Sequence, residues 1–255
     1  MCSKIRSDVF GVDRYILNGM NIRLEMRQSP DSYRLMAEDK ATVYRVKIIE
    51  ATLIVCIIEL SSKLMLDIGA TLEKHPAIYN FKKWNIEKKT ISTGDSNFQY
   101  TDLFQSKMPE EVYVMLCKAA SQDGDLHLSP YNLVTGNLKY LRFAYGDESL
   151  PTRPMQFTYP NQYTDGFWSL FSRKNSVSRL GIDYTSYPGG YSLYVFSLSN
   201  VNSRQSAIKS IDKFGVCKLE GVLAEPATEA YNVYIIGIFH AQLEVTSSRM
   251  VKKNY

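Results

Sequence analysis

Histidine is scarce in this chain of 255 residues: only His75, His127 and His240 occur. None stands at His-x-His or His-x-x-x-His spacing, so a cupin-type metal centre has no local ligand pair to start from. Cysteine is equally sparse. Cys2, Cys56, Cys117 and Cys217 lie far apart in the sequence, matching neither metal-ligand nor redox spacing. They read as reduced thiols packing as small hydrophobes, a usage that fits the cytosol or nucleus better than a secreted disulfide framework. With 14 Gly and 9 Pro, collagenous and low-complexity chains are excluded. Charge of one sign is nearly absent too: 30 Lys and Arg against 26 Asp and Glu leave +4. That is too mild for a nucleic-acid scaffold or a polybasic membrane anchor. No long hydrophobic run exists. The longest, Ala51 to Ile58, is bounded by Glu50 and Glu59 and is too short to span a bilayer as a helix. The first residues, Met1 to Asp8, contain no apolar core of a secretory signal, so none is expected. No Gly-rich phosphate loop occurs. Pro188-Gly189-Gly190-Tyr191 is the densest glycine site, and it opens a strand pattern rather than a helix.

What is abundant is strand-forming material. Hydrophobic residues make up 45%, aromatics 12%, and 18 of the residues are Tyr, which favours half-buried strands over helical bundles. Met20 to Arg27 alternates without a break, placing Met20, Ile22, Leu24 and Met26 on one face of a strand. Val43 to Leu60 alternates and then turns continuously apolar, the pattern of a long strand buried on both faces near its end. The period then changes. Leu64, Ile68 and Leu72 recur every four residues between a serine N-cap and Pro76, predicting a helix from about 62 to 74. Strands are expected at Phe81–Ile91, Glu111–Lys118 and Leu138–Tyr145, with turns at Ser92–Asp95 and Gly146-Asp147. Pro151 and Pro154 mark an extended segment, and Tyr163, Phe167, Leu170 and Phe171 fall at helical spacing. Tyr191–Leu198, Phe214–Leu223 and Tyr231–His240 complete the strands. Eight or more strands with two short helices predict an all-β antiparallel sandwich. Neither a low-complexity linker nor an internal repeat stands out. The lysine pairs Lys82-Lys83, Lys88-Lys89 and Lys252-Lys253 read as the wet face of a strand and a ragged tail. His75 reads as a helix-end residue and His240 as a solvated strand end.

Laid out in order, the segments resemble one family over Asp8 to Val251. FGVDRYILNGMNIRLEM at Phe10 to Met26 is similar to a stretch with a "LLNGV" phrase. YRVKIIEATLIVCIIEL at Tyr44 to Leu60 resembles its next long strand, and Ser61 to Tyr79 the helix and "PAxY" phrase that follow. DLFQSKMPEEVYVML at Asp102 to Leu116 resembles "LFxGQxP" before a Val-rich strand. LPTRPMQF at Leu150 to Phe157 matches paired prolines, and PGGYSLYVFSL at Pro188 to Leu198 a "GGYxLYxFDL" strand. The family is the double-jelly-roll major capsid protein of Polinton/Maverick elements and adintoviruses, and the match is to its C-terminal jelly roll. Two departures stand out: the "NGSYxxNPFNF" loop keeps Pro130 and Asn132 but not both aromatics, and Ser197 replaces the acidic residue of "FDL".

The resemblance implies a viral-capsid-type jelly roll, with residues 1–17 a leading arm, 18–255 one roll, and the family's N-terminal roll absent. It implies a structural protein, not an enzyme, with no catalytic, cofactor-binding or metal-ligating residues and no cofactor. Its partners would be itself and other capsid subunits, as a trimeric pseudo-hexagonal capsomer, together with minor capsid or penton proteins. No small-molecule substrate, membrane or specific nucleic acid is expected. The location would be the virion, or host cytoplasm or nucleus during assembly, including the case of an endogenous viral element. The alternative is a single-roll binding module, lectin-like or of penton or attachment type. A cupin-like enzyme ranks last for want of a histidine cluster.

Overall fold

The computed structural model describes the chain except residues 1, 2, 4, 6, 13, 38–43, 172–180, 199–214 and 255. Cys2, Val43 and Phe214, named above, lie outside the described residues. The chain divides into two compact units. One comprises residues 1–28, 44–83 and 240–255, the other 29–43 and 84–239.

Nine strands are described: β1 (Ala77–Ile91), β2 (Asn97–Leu103), β3 (Glu111–Lys118), β4 (Leu138–Tyr145), β5 (Glu148–Gln156), β6 (Leu193–Ser197), β7 (Cys217–Leu223), β8 (Tyr231–Val245) and β9 (Val251–Asn254). The helices are α1 (Asp31–Arg34), α2 (Ser62–Lys74), α3 (Ala119–Gln122) and α4 (Thr164–Phe171). Two sheets form. Sheet A has the order β1-β8-β3-β6, with β9 added on β8, and sheet B the order β2-β7-β4-β5. Successive strands repeatedly change sheet, and the two last strands of the eight insert between early ones. That double Greek key of eight strands is a jelly roll. Every ladder with a recorded register is antiparallel.

The core sits in the unit of residues 84–239. Val112, Val114 and Leu116 of β3 point inward with Val233 and Ile235 of β8, and Tyr194 and Phe196 of β6 join them. Leu138, Leu141, Phe143, Cys217, Leu219 and Leu223 face them from sheet B. Alternation puts all of these on inner faces, where each large side chain removed from water contributes about 1.5–3 kcal/mol. One inner position has to be glycine. Gly221 stands opposite Phe98 on β2, and a methyl group there would overlap the Phe98 ring.

In the other unit, α2 begins with the Ser61 Oγ accepting from the Leu64 N–H at 3.4 Å. It ends where His75 turns extended ahead of Pro76, with the His75 N–H donated to the Thr71 carbonyl at 2.9 Å. Strand β9 pairs Val251–Asn254 with Gln242–Val245, so Lys252 and Lys253 lie in a ladder, which corrects the reading of a ragged tail. His240 is half-buried within β8, not at a solvated strand end, because β8 runs five residues further to Val245. Met20–Arg27 and Tyr44–Leu60 belong to no strand, against expectation, and most of their apolar side chains are exposed. Periodicity had placed them in a sheet, but the roll already holds eight strands without them.

Three strands escaped the sequence reading. Strand β2 contains Asn97 and Asp102, residue types depleted in strands, and its alternation through Phe98 and Tyr100 breaks at Thr101-Asp102. Strand β5 carries Pro151 and Pro154, tolerable because it is an edge strand with one side unpaired. Strand β9 has only four residues. Replacing Gly221 with Ala should cost about 1–3 kcal/mol by overpacking, and Phe98→Leu in the same chain should recover part of the loss. Urea unfolding of the three variants checks this.

Candidate interaction surface

The two sheets differ on the faces turned away from the core. On sheet B, the register sets Arg142 opposite Glu220 and Gln99 opposite Glu220 from the other side. Arg142 Nη1 lies 3.5 Å from Glu220 Oε2, and Gln99 Nε2 donates to Glu220 Oε1 at 3.2 Å. Lys218 shares this face, which is largely polar although Tyr140 and Val222 also stand on it, as one face of an antiparallel sheet ordinarily is.

Sheet A is different. Its outer positions are Glu111, Tyr113, Met115 and Cys117 on β3, Asn232, Tyr234, Ile236 and Ile238 on β8, and Leu193, Val195 and Ser197 on β6. Most are apolar, and Tyr113, Cys117, Val195 and Ile238 are buried. Part of the cover is local. The Tyr234 hydroxyl donates to Gln122 Oε1 at 2.9 Å, and Gln122 Nε2 donates to the Pro130 carbonyl at 2.9 Å. Leu133 N–H reaches the Gly190 carbonyl and Val134 N–H the Leu116 carbonyl, both at 2.9 Å. The loop between β3 and β4 is thus tied down onto this sheet. Asn132 requires the glycine beside it: a Cβ on Gly190, held at φ 125°, would lie 2.6 Å from Asn132 Oδ1. Tyr33, from the segment of α1, packs edge-on against Tyr131 with ring centroids 5.6 Å apart. Burial pushes its phenol up to about 12.

Beyond this cover the face stays open at β1. Trp84 stacks on Tyr113 at 6.3 Å between centroids yet is 50% exposed, and Ile86, two residues on, is 59% exposed. An apolar strip carrying an exposed tryptophan is the kind of surface that suits contact with another protein. The opposite edge of the same sheet is sealed. Val195 N–H, on the side of β6 away from β3, donates to Ser169 Oγ at 3.0 Å, and that hydroxyl donates to the Gly166 carbonyl at 2.6 Å. Helix α4 therefore caps a strand edge that would otherwise invite pairing.

Under α4 lies a group of aromatic rings. Tyr159, Tyr163 and Tyr184 stack in series at 5.7 and 4.3 Å, and Phe167 meets Tyr184 edge-on at 5.2 Å. Tyr159 and Tyr194 share a hydrogen bond of 2.9 Å, and Tyr187 donates to the Leu193 carbonyl at 2.9 Å. Burial pushes Tyr159 up to about 12, and Tyr187 and Tyr194 well above the ordinary phenol value. Sequence reading saw only the helical spacing of Tyr163, Phe167 and Leu170. Tyr187 and Tyr194 reach the same cluster from distant positions.

The histidines do not converge. His75 caps α2, His240 lies in β8, and the His127 N–H donates to Asp125 Oδ1 at 2.9 Å. Among the described residues no three His, Cys, Asp or Glu side chains gather as a metal site. No described helix is long and apolar enough to cross a membrane. Burial raises the Cys117 and Cys217 thiols to about 11, which keeps them protonated and unreactive at neutral pH.

No family model matches the chain. It is 22% identical over 209 residues to "Uncharacterized protein F54H12.2" of Caenorhabditis elegans, a match covering 79% of this chain and 50% of that protein. The chain thus spans about half the length of the curated relative it matches. Among solved structures it is similar to the Sputnik virophage determined by cryo-EM at TM-score 0.44 and 10% identity, covering 70% of this chain and 39% of that one. It is similar to the mavirus major capsid protein at 0.36 and 10%, covering 71% and 41%. The PBCV-1 virus capsid gives 0.37 and 13%, covering 71% and 52%. Overlaps this loose add nothing to what the strand order already establishes.

The buried phenols set a pH limit. Their folded-state values lie above the unfolded value of about 10, so their contribution is complete below pH 10. It is lost as pH rises above about 10, where the unfolded chain releases protons that the folded one retains, and for Tyr159 the loss runs on through about 12. Stability should be flat to about pH 9.5 and fall above 10. Tyr159→Phe should make that fall shallower, as read by denaturant midpoints alongside the tyrosinate absorbance at 295 nm.

Proposed function

We propose that this protein is a structural, capsid-like jelly-roll subunit that works by associating with copies of itself and other shell proteins, without catalysis. Jelly rolls serve in viral capsids, lectins and cupins alike, so the strand order alone does not choose. The observation that carries the choice is the sidedness of the sandwich: sheet B presents an ion-paired outer face, and sheet A an apolar one with Trp84 and Ile86 exposed. A subunit packed among neighbours needs one such side. A soluble monomeric enzyme does not.

The finer reading rests on the resemblance of residues 8–251 to the Polinton/Maverick and adintovirus capsid protein. In it, the chain contributes the second roll of a subunit, three subunits build a pseudo-hexagonal capsomer, and the product resides in virions after assembly in cytoplasm or nucleus. Residues 1–17 would form an arm and the remainder one roll. The second reading, a lectin-like module, is favoured by the exposed rings of Trp168 and Tyr191 close in sequence to the aromatic cluster.

Sedimentation velocity with negative-stain imaging tests the first reading. The chain should associate into trimers or larger assemblies at micromolar concentration. Trp84→Glu with Ile86→Glu should leave folded monomers, each contact weakened by about 2 kcal/mol or more, with a thermal midpoint lowered only by the lost Trp84–Tyr113 stacking of about 1 kcal/mol. A wild-type chain that stays monomeric at every concentration sinks the proposal, as does a double variant that assembles equally well. Specific binding by the monomer on a glycan array would point to the lectin-like reading instead.

A further inference from the structure

Tryptophan is on average a highly buried residue. The chain has two, and both are exposed, Trp84 by 50% and Trp168 by 65%. Sheet A sets them on opposite sides. Its order β1-β8-β3-β6 places β1, which carries Trp84, at one edge and β6 at the other, three strand spacings or about 14 Å away. Helix α4 lies against that far edge through the bond from the Val195 N–H to Ser169 Oγ. Gly166, Ser169 and Leu170 are buried on its inner side, while Thr164, Asp165 and Trp168 are exposed on its outer one. Thr164 and Trp168 stand four apart and so share one stripe of the helix. The Tyr184 hydroxyl lies 3.2 Å from Thr164 Oγ1, and the Tyr184 ring, 37% exposed, stacks on Tyr163 at 4.3 Å. The α4 face is therefore an aromatic patch on a fixed base, just as Trp84 is backed by Tyr113.

A patch on a self-associating subunit meets either its own copy across a two-fold axis or a different patch on its neighbour. Charge separates these cases. Strand β1 carries Lys82, Lys83, Lys88 and Lys89 against Glu87. Two β1 surfaces brought together would set lysines against lysines, and like charges juxtaposed across an interface oppose binding. The α4 side offers the other sign. Residues 156–171 and 181–198 hold Asp165 and Asp183 and no lysine or arginine, while Arg173, Lys174 and Arg179 belong to residues 172–180, outside the described ones.

We infer that the α4 face, centred on Trp168 and Tyr184, is the complement of the Trp84 strip, and that its occupant is the β1 side of a second copy of this chain. The inference rests on the reading that copies associate through Trp84 and Ile86, and it adds the surface that receives them. The contact is heterologous: each copy offers its β1 side to one neighbour and its α4 side to another. Such a contact passes from copy to copy until rotation closes a ring, and it makes no two-fold dimer.

Two variants, each with one patch destroyed, test this by sedimentation velocity, alone and mixed, with thermal unfolding of each to verify the fold. Trp84→Glu with Ile86→Glu keeps only the α4 face, and Trp168→Glu keeps only the β1 strip. Each alone should be monomeric where the wild type assembles, with association weakened at least about 30-fold. Mixed, they should form a one-to-one heterodimer and nothing larger, because only one complementary pair of patches survives. A single open contact lacks the avidity of a closed ring, so the mixture is taken to about 100 μM. Trp168→Ala should weaken assembly in the same direction and replaces the glutamate variant in the mixture if that one fails to fold. A folded Trp168 variant that assembles like wild type, or that still dimerises by itself, overturns the inference while leaving association through Trp84 intact. A mixture of folded variants that stays monomeric does the same. A wild-type chain that is monomeric throughout overturns the association reading and this inference with it.

Discussion

The ladder between β3 and β8 is the constraint on which the rest of this structure depends. It joins Glu111–Lys118 to Tyr231–Ile238, residues more than a hundred positions apart, in an unbroken antiparallel register. Because side chains alternate, that register decides both faces of sheet A at once. It sends Val112, Val114 and Leu116 inward with Ile235 and Val233, and it leaves Tyr113, Cys117, Ile236 and Ile238 outside. A slip of one residue would exchange the two sets. Closing so long a loop is entropically unfavourable, and the stabilising contacts are non-local, so the sandwich gains little until this pairing forms.

The outer consequences follow from the same register. A sheet with two apolar faces must be covered twice, and the chain covers the second face with its own loops only in part. The Tyr234–Gln122–Pro130 chain of hydrogen bonds holds one loop over it, α4 seals the β6 edge through Ser169, and Trp84 half-covers Tyr113. What remains open is the strip that makes association chemically sensible. Sheet B needs no such cover, because Arg142, Glu220 and Gln99 satisfy one another across strands.

Much of the fold was legible in the residues. The helix Ser62–Lys74 and the strands Glu111–Lys118 and Leu138–Tyr145 lie where their periods put them, since each pairs a clear repeat with a clear stop. The remainder was hidden for identifiable reasons. Strand β5 carries two prolines, which mark an extended segment but do not reveal its pairing, since that depends on its edge position. The turn Phe104–Ser106 runs through left-handed backbone, with φ of 60°, 53° and 59° and no glycine. It is held there because the Phe104 N–H donates to Glu87 at 2.6 Å and the Phe104 ring packs on Phe239. The aromatic cluster under α4 was visible only in its Tyr163–Phe167–Leu170 third, because Tyr187 and Tyr194 come from elsewhere in the chain.

The sequence by itself determined the class of architecture: alternation of apolar residues, turn chemistry and few histidines pointed to an antiparallel sandwich that lacks a ready-made local metal site. It also pointed to strands at Met20–Arg27 and Tyr44–Leu60, which the structure does not form. Only the tertiary structure decided which strands share a sheet. Membership depends on pairings between residues far apart, and each strand's local pattern is satisfied equally well by several neighbours.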